Sequence, residues 1–427
     1  MEVFRRSLAE SVELVSVRTD KFKTGVFSVS LALPLEAEQA TATALLGDVL
    51  YRGSRRYPDI EAISLATDEL YGASVGPFVR QRGESQCVGF SASFLDDRYA
   101  LDGNAVLEPV LSLIGELLLE PLTEGGAFRE EYVRSEGANL ADQIRARVND
   151  KRGWSVFRLT QEMCAGEAYA LDKLGRAEEA ERMTAARLWE RYQTVLREAK
   201  VVFYYGGSAS LERVEAAVRE SFAPLLTDRR MELPCVVKGG PEGAVREITD
   251  RMDVTQGKLA LGFRTGGIVS GHPDYPALLV CNAMYGGTTN SKLFLNVREK
   301  LSLCYFASSM MDKLKGLMVV SSGVEFSKFQ VAKDEILAQL EAVRRGDFSG
   351  EELAAAKQAL TGSLRACLDS QGRLEDYWTG QALSGGKMEG PEKLIRPIEG
   401  VTAEDVRRAA RAIELDTVYY LTGREAR

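Results

Sequence analysis

Thr43-Ala-Leu-Leu-Gly-Asp-Val-Leu-Tyr-Arg-Gly-Ser-Arg-Arg-Tyr-Pro58 reads as an amphipathic helix and the turn that ends it. With Ala42 included, Leu45, Leu46, Val49 and Leu50 fall on one helical face, which predicts a helix over 36–51. Gly53 closes it and Tyr57-Pro58 marks the turn. Working outward, 12–19 and 24–34 are rich in Val and Leu and read as strands ahead of that helix. A helix over 60–70, strands near 73–80 and 85–94, and helices over 104–120, 128–165 and 176–198 follow. Strand 200–206 and helix 210–224 complete the series.

Residues 226–245 carry Pro, Gly and scattered charge, the composition of a linker. The reading is an N-terminal domain 1–230, a linker 231–243 and a C-terminal domain 244–427. The second part repeats the element order of the first. A strand at 258–264 precedes a helix at 273–284, and Tyr285-Gly286-Gly287 parallels Tyr51-Arg52-Gly53. A helix at 291–301 leads to strands near 303–311 and 316–325. Helices over 328–345, 350–367, 371–384 and 402–413 precede a final strand at 417–422. The fold class expected is α+β: two duplicated domains, each a mainly antiparallel sheet with helices packed on one face.

Composition narrows the function. Hydrophobic residues make up 45% and charged residues 27% of the 427, which excludes a disordered or fibrous chain. The net charge of −8 argues against a general nucleic-acid binder, which needs a basic face. There is one histidine, His272, so no zinc site built on two or three histidines can form within the chain. It stands in Ser270-Gly-His-Pro-Asp-Tyr-Pro, where it reads as part of a helix start, and no G-x-S-x-G elbow accompanies it. Gly286-Gly287 lacks the rest of a phosphate loop and reads as a tight helix exit.

The six cysteines, Cys87, Cys164, Cys235, Cys281, Cys304 and Cys367, form no C-x-x-C and read as buried small hydrophobes in a reducing compartment. The first twenty residues have no long apolar core, and the apolar run 106–122 is broken by Glu108, Pro109, Glu116 and Glu120. The expectation is a cytoplasmic protein without a membrane span.

The opening stretch resembles the zinc-site helix of the pitrilysin or insulinase-like metallopeptidases, the inverzincins, in which H-x-x-E-H precedes an aromatic-x-Gly-Ser/Thr-x-x-Tyr-Pro tail. The tail is present as Tyr51, Gly53, Ser54, Tyr57 and Pro58. The two histidine positions fall on Ala44 and Asp48, and the catalytic glutamate position on Gly47. Two imidazoles one turn apart can grip one metal, and the glutamate between them takes the proton from metal-bound water. Ala44 and Gly47 have neither function, and Asp48 alone cannot hold a catalytic zinc. Glu131 matches the first of the family's two downstream glutamates. The second, a metal ligand, falls on Ala138, with Glu136 nearby.

The second half carries the family's other signature. Asn282-Ala-Met-Tyr-Gly-Gly-Thr-Thr-Asn-Ser-Lys-Leu-Phe294 and Asn296-Val-Arg-Glu-Lys-Leu-Ser-Leu-Cys-Tyr305 are similar to its GG…S-x-L-F-x-x-V-R-E-K-x-x-L-x-Y segment. The resemblance implies that Arg298 and Tyr305 bind the substrate backbone and stabilise an oxyanion, as hydrogen-bond donors aimed at developing charge do. It is nearest to the short two-domain bacterial class, some of whose members work in pairs. It implies a noncatalytic subunit: no metal and no cofactor in this chain, zinc on a paralogous partner chain, and a peptide or unfolded polypeptide as substrate. A second reading stays open, a catalytically dead peptide-binding or structural homodimer. One cytoplasmic group of zinc-less relatives is named for an association with elongation factor P modification, and no motif here reads that out.

Overall fold

The computed structural model of the chain describes residues 1–424. The last three residues of the expected C-terminal domain, 425–427, lie outside the described residues. Two compact units result. One comprises Met1–Arg145, Leu171–Pro234 and Ser370–Met388; the other comprises Ala146–Ala170, Cys235–Asp369 and the chain from Glu389 onward. The break at Pro234/Cys235 falls inside the expected linker, but the units are not the linear halves. A segment of the first half, 146–170, belongs to the second unit, and 370–388 from the second half belongs to the first.

In the first unit a six-stranded sheet runs in the order Glu2–Ala9, Val12–Arg18, Lys200–Gly207, Thr24–Pro34, Ser85–Leu95, Ser74–Arg82. Every pairing is antiparallel except Val12–Arg18 with Lys200–Gly207. The outer strand Glu2–Ala9 carries little apolar periodicity, and the sequence reading passed over it. Side chains alternate across a strand. Phe27, Val29, Leu31 and Leu33 therefore enter one core with Leu45, Leu46, Val49 and Leu50 of the Ala40–Leu50 helix. Ser28, on the opposite face, meets the helix Gln371–Leu383 instead: its hydroxyl donates to Glu375 at 2.9 Å. The main helical layer thus lies on one face, as expected, and one helix from far along the sequence closes the other.

The second unit repeats this plan with five strands, in the order Cys304–Asp312, Leu317–Val324, Gly257–Arg264, Glu414–Gly423, Arg246–Met252. Leu259, Leu261 and Phe263 face the helical core, while Ala260 joins Leu159 of the helix Lys151–Met163 on the other side. Gly262 is required there, because a Cβ would lie 2.3 Å from the Met163 sulfur.

The first exchanged helix begins at a break that helical periodicity does not report, whereas the second was expected at 371–384. The helix expected over 128–165 is two, Glu130–Ala146 and Lys151–Met163, because Asp150 accepts from the amides of Arg152 and Gly153 and starts a new one. Ser370 caps the second exchanged helix in the same way. The helix expected over 176–198 is likewise divided, with Thr184 capping the piece Ala185–Glu198.

Each exchanged segment is held by buried charge. In the first unit Arg80 donates to both oxygens of Glu375 at 2.8 Å, and Lys200 donates to the terminal carbonyls of Ala382 and Leu383. In the second, Arg264 lies between two carboxylates, donating to Glu167 at 2.8 Å and Asp416 at 3.0 Å, and Lys315 approaches Glu167 at 2.6 Å. Arg264, Glu167, Lys315 and Asp416 are almost wholly buried, whereas the Arg80 side chain is 30% exposed. Among the described residues no helix is long and apolar enough to cross a membrane.

Removing one partner of a buried ion pair leaves the other without compensation, at about 3–5 kcal/mol. Arg264→Ala should therefore destabilise the second unit by about that much. Arg80→Ala, whose pair keeps access to water, should destabilise the first by only about 1–3 kcal/mol. Denaturant titrations of the two variants check the ranking; equal losses would show that the Arg264 cluster does not anchor its helix.

Candidate functional site

The Ala40–Leu50 helix holds three of the positions singled out by sequence. Ala44 is buried and presents only a methyl group. At Gly47 a Cβ would lie 2.6 Å from the Cβ of Pro77, on the strand Ser74–Arg82. No glutamate fits there unless that strand moves. Asp48 is half-buried, and burial, aided by the charge of Glu136, holds its carboxyl above the ordinary carboxylate range. Ala138 is exposed. The residue coupled to Asp48 is therefore Glu136, two positions earlier on Glu130–Ala146, and Glu131 is exposed at the start of that helix.

Arg52 satisfies Glu136 at 3.1 Å and lies over the Tyr132 ring at 4.9 Å. The locus is thus two carboxylates and a guanidinium. Zinc needs three or four nitrogen, sulfur or oxygen donors about one centre, and this set does not fit it. Among the described residues no group of three or more His, Cys, Asp or Glu is placed to hold a metal ion.

The tail after this helix persists for a structural reason. Gly53 has φ 149°, and a Cβ there would lie 2.8 Å from the Pro58 carbonyl. Ser54 is buried: its amide donates to the Tyr57 carbonyl at 2.7 Å, and its hydroxyl accepts from the Tyr57 amide at 3.1 Å. Glu116 ties the turn down by accepting from the Arg56 amide at 2.9 Å.

The other signature lies within the second unit. The helix Tyr275–Asn282 continues into wide, π-type turns at Ala283–Gly287 and Leu293–Lys300, not the tight exit expected at Gly286-Gly287. Such turns recur at functional sites. Gly286 permits close packing, since a Cβ would lie 2.6 Å from Leu293 Cδ1 and 2.8 Å from the Ser309 amide nitrogen. Leu293 and Val297 anchor the second π segment in the core, which leaves Arg298 half-exposed, stacked 4.6 Å over Phe294 and 3.4 Å from Glu299.

The chain then turns through Ser302, held at φ 48°, and enters the strand Cys304–Asp312. Cys304 pairs with Val324 and Phe306 with Gly323, so Tyr305 is the extra residue of a β-bulge. Bulges re-aim side chains, and Tyr305 is 77% exposed. Burial pushes the Cys304 thiol up, while the nearby Arg298 charge acts the other way. Arg298 thus lies near the end of the π segment and Tyr305 on the strand that follows the Ser302 turn. A guanidinium and a phenol offer hydrogen-bond donors to a carbonyl or carboxylate.

His272 is exposed, and its Nδ1 accepts from the Asp274 amide at 3.0 Å, which fits a helix start. Cys87, Cys164 and Cys281 are buried, Cys304 and Cys367 partly so, and none of the six is in a disulfide. Cys235 corrects the expectation of burial: it is exposed, because it lies in the unstructured segment between the two units' strands.

A duplicated α+β plan, a metal-site helix without its donors and an intact Arg/Tyr segment define a zinc-peptidase homologue with the metal site lost. The chain belongs to the M16 peptidase family. Residues 182–360 match the family model described as the peptidase M16 inactive domain. The chain is 36% identical over 412 residues to a probable inactive metalloprotease of Bacillus subtilis, YmfF, covering 96% of this chain and 95% of that one. Its fold is similar to the crystal structure of a conserved protein from Enterococcus faecalis, with TM-score 0.90, 27% identity and 99% of each chain covered. It is also similar to that of a peptidase M16 inactive domain from Pseudomonas fluorescens, with TM-score 0.80, 19% identity and 100% of each chain covered.

Two outcomes follow at the lost metal locus. Gly47→Ala should lower stability by about 1–3 kcal/mol, the cost of overpacking against Pro77, as read by denaturant titration; an unchanged midpoint would mean that the strand yields freely. Because its folded pKa is raised, Asp48 destabilises the fold when ionised. That penalty is complete above the folded pKa and absent below the unfolded one. Asp48→Asn should therefore raise the thermal midpoint at pH 7 by about 1–3 °C, with the gain vanishing as pH falls through the carboxylate range. A gain that persists in acid would assign it to another cause.

Proposed function

We propose that this chain is the noncatalytic subunit of a heterodimeric M16-type peptidase. It supplies Arg298 and Tyr305 to a substrate chamber whose zinc is held by a paralogous partner chain, and its substrate is a peptide or unfolded polypeptide. The observation that carries this reading is the contrast between the two signatures. The metal helix has Ala44 buried and Gly47 blocked by Pro77, whereas Tyr305 is exposed on a bulge and Arg298 is half-exposed over Phe294.

The chemistry asked of the pair is modest. The guanidinium of Arg298 is permanently charged and, with Phe294 beneath it, is limited in where it can point. The Tyr305 hydroxyl can donate to the same peptide carbonyl. Six cysteines without a disulfide suit a cytoplasmic location.

The test is peptide cleavage by the zinc-bearing paralogue with and without this chain. Loss of one oxyanion donor costs about a hundred- to a thousandfold in rate. Arg298→Ala and Tyr305→Phe should each lower kcat of the mixed complex by about that factor, with pairing intact by co-purification, and Asp48→Ala should change little. Full activity with both site variants would sink the proposal.

A further inference from the structure

The two sheets follow one plan up to a single position. In the first unit Val12–Arg18 runs parallel to Lys200–Gly207, and its outer side is covered by Glu2–Ala9. In the second unit Arg246–Met252 runs parallel to Glu414–Gly423 in the same place, and it ends the sheet. Among the described residues no strand covers its outer side. The residues just ahead of it, 236–245, hold Pro241 and three glycines and form no strand. The consequence shows in exposure: Val12–Arg18 is almost wholly buried, whereas Arg246, Glu247, Thr249 and Arg251 are exposed. An uncovered strand presents a row of backbone donors and acceptors ready to pair with another chain.

We infer that this edge pairs with the same strand of a second copy of the chain, antiparallel about a two-fold axis through Thr249. An isologous contact needs a self-complementary surface, and Arg-Glu-Ile-Thr-Asp-Arg-Met is one in this register. Glu247 opposes the partner subunit's Arg251, and Arg251 opposes the partner subunit's Glu247. Thr249 meets its own copy at the centre, and the whole strand overlaps. A shift of two residues one way sets Asp250 opposite itself; the other way it shortens the overlap and leaves Glu247 facing a threonine.

Glu247 already meets Lys333 at 2.9 Å and Arg251 reaches the Gly423 carbonyl at 3.5 Å, so each would share its charge with its counterpart across the contact. Glu247, Thr249 and Arg251 share one exposed face, while Ile248 and Met252 pack on the opposite side with Leu159. Asp250 on that side is already occupied by the Tyr419 hydroxyl at 2.8 Å and by Arg158. Charges also serve to keep an edge single; here the signs alternate so as to match their own copy, which removes the repulsion when two copies meet in this register. The roles given to Arg298 and Tyr305 do not enter this inference.

The experiment is sedimentation equilibrium of the full chain, alone, over a wide concentration series, with circular dichroism to confirm folding. The wild type should be a reversible dimer. Thr249→Lys sets two ammonium groups opposite each other at an exposed position, and Arg251→Glu sets Glu against Glu twice. Each should raise the dimer Kd about tenfold or more. Glu247→Arg combined with Arg251→Glu restores opposite signs in the same register, with Lys333→Gln removing the like charge that position 247 would then meet, and should recover most of the affinity. A wild type that stays monomeric throughout overturns the inference. So does a dimer whose Kd neither single variant moves, or one that the reversal fails to rescue.

Discussion

Arg264 is fixed between Glu167 and Asp416, deep in the second unit, and the arrangement of the chain depends on that contact. Glu167 arrives on the segment 146–170, which follows the helix Glu130–Ala146. A guanidinium and two carboxylates removed from water tolerate no substitute partner, since an unpaired charge there is far more costly than a lost surface bridge. The apolar contacts of Leu159 with Ala260 and Leu421 are less particular. Burial drives the helix onto the sheet, and the ion pairs determine which helix it is. Glu375 with Arg80 and Ser28 does the same in the first unit.

The lost metal locus and the retained Arg/Tyr segment differ in what surrounds them. Around Gly47 the space for a carboxylate is taken by Pro77, and around Glu136 the charge is met by Arg52. These are replacements in kind: each donor that a metal would have met has been removed or given another partner. The Gly53-Ser54 turn survives because Glu116, Tyr57 and Pro58 need it for packing. Retention of that tail therefore says nothing about catalysis, although it is what makes the helix recognisable. At the other signature the core anchors, Leu293 and Val297, explain the helix but not Arg298 or Tyr305, which face outward.

Much of the fold was legible in the sequence because its elements are strongly periodic. Thr24–Pro34 and Ser85–Leu95 alternate under a Val- and Leu-rich face, and Leu107–Leu119 is apolar over a whole helical side. The family motifs singled out Ala44, Gly47, Asp48, Arg298 and Tyr305 as the positions to compare. Three features were not legible. The exchange of helices leaves no periodic trace, because Lys151–Met163 is amphipathic toward whichever sheet it meets. Its only signal was the capping pair Asn149-Asp150 inside a run that otherwise reads as continuous helix. The Arg264 cluster draws on residues more than ninety positions apart in sequence. The bulge at Tyr305 depends on a register slip that only the paired strand reveals.

The exchange also bears on how the protein is made. Ser28 meets its partner Glu375 across a sequence separation of 347 residues. When the first half has left the ribosome, the sheet of the first unit still lacks the helix that closes its second face, and it must wait for some 140 further residues. At about 5–20 residues per second that interval lasts roughly 7–30 s, long compared with local helix and hairpin formation. During it the nascent chain displays an unfinished face with Ser28 and Ser30 among its side chains, polar groups that collapse less readily onto other apolar surfaces than leucines would. The serines that seat a late-arriving helix in the finished protein are thus also suited to the wait.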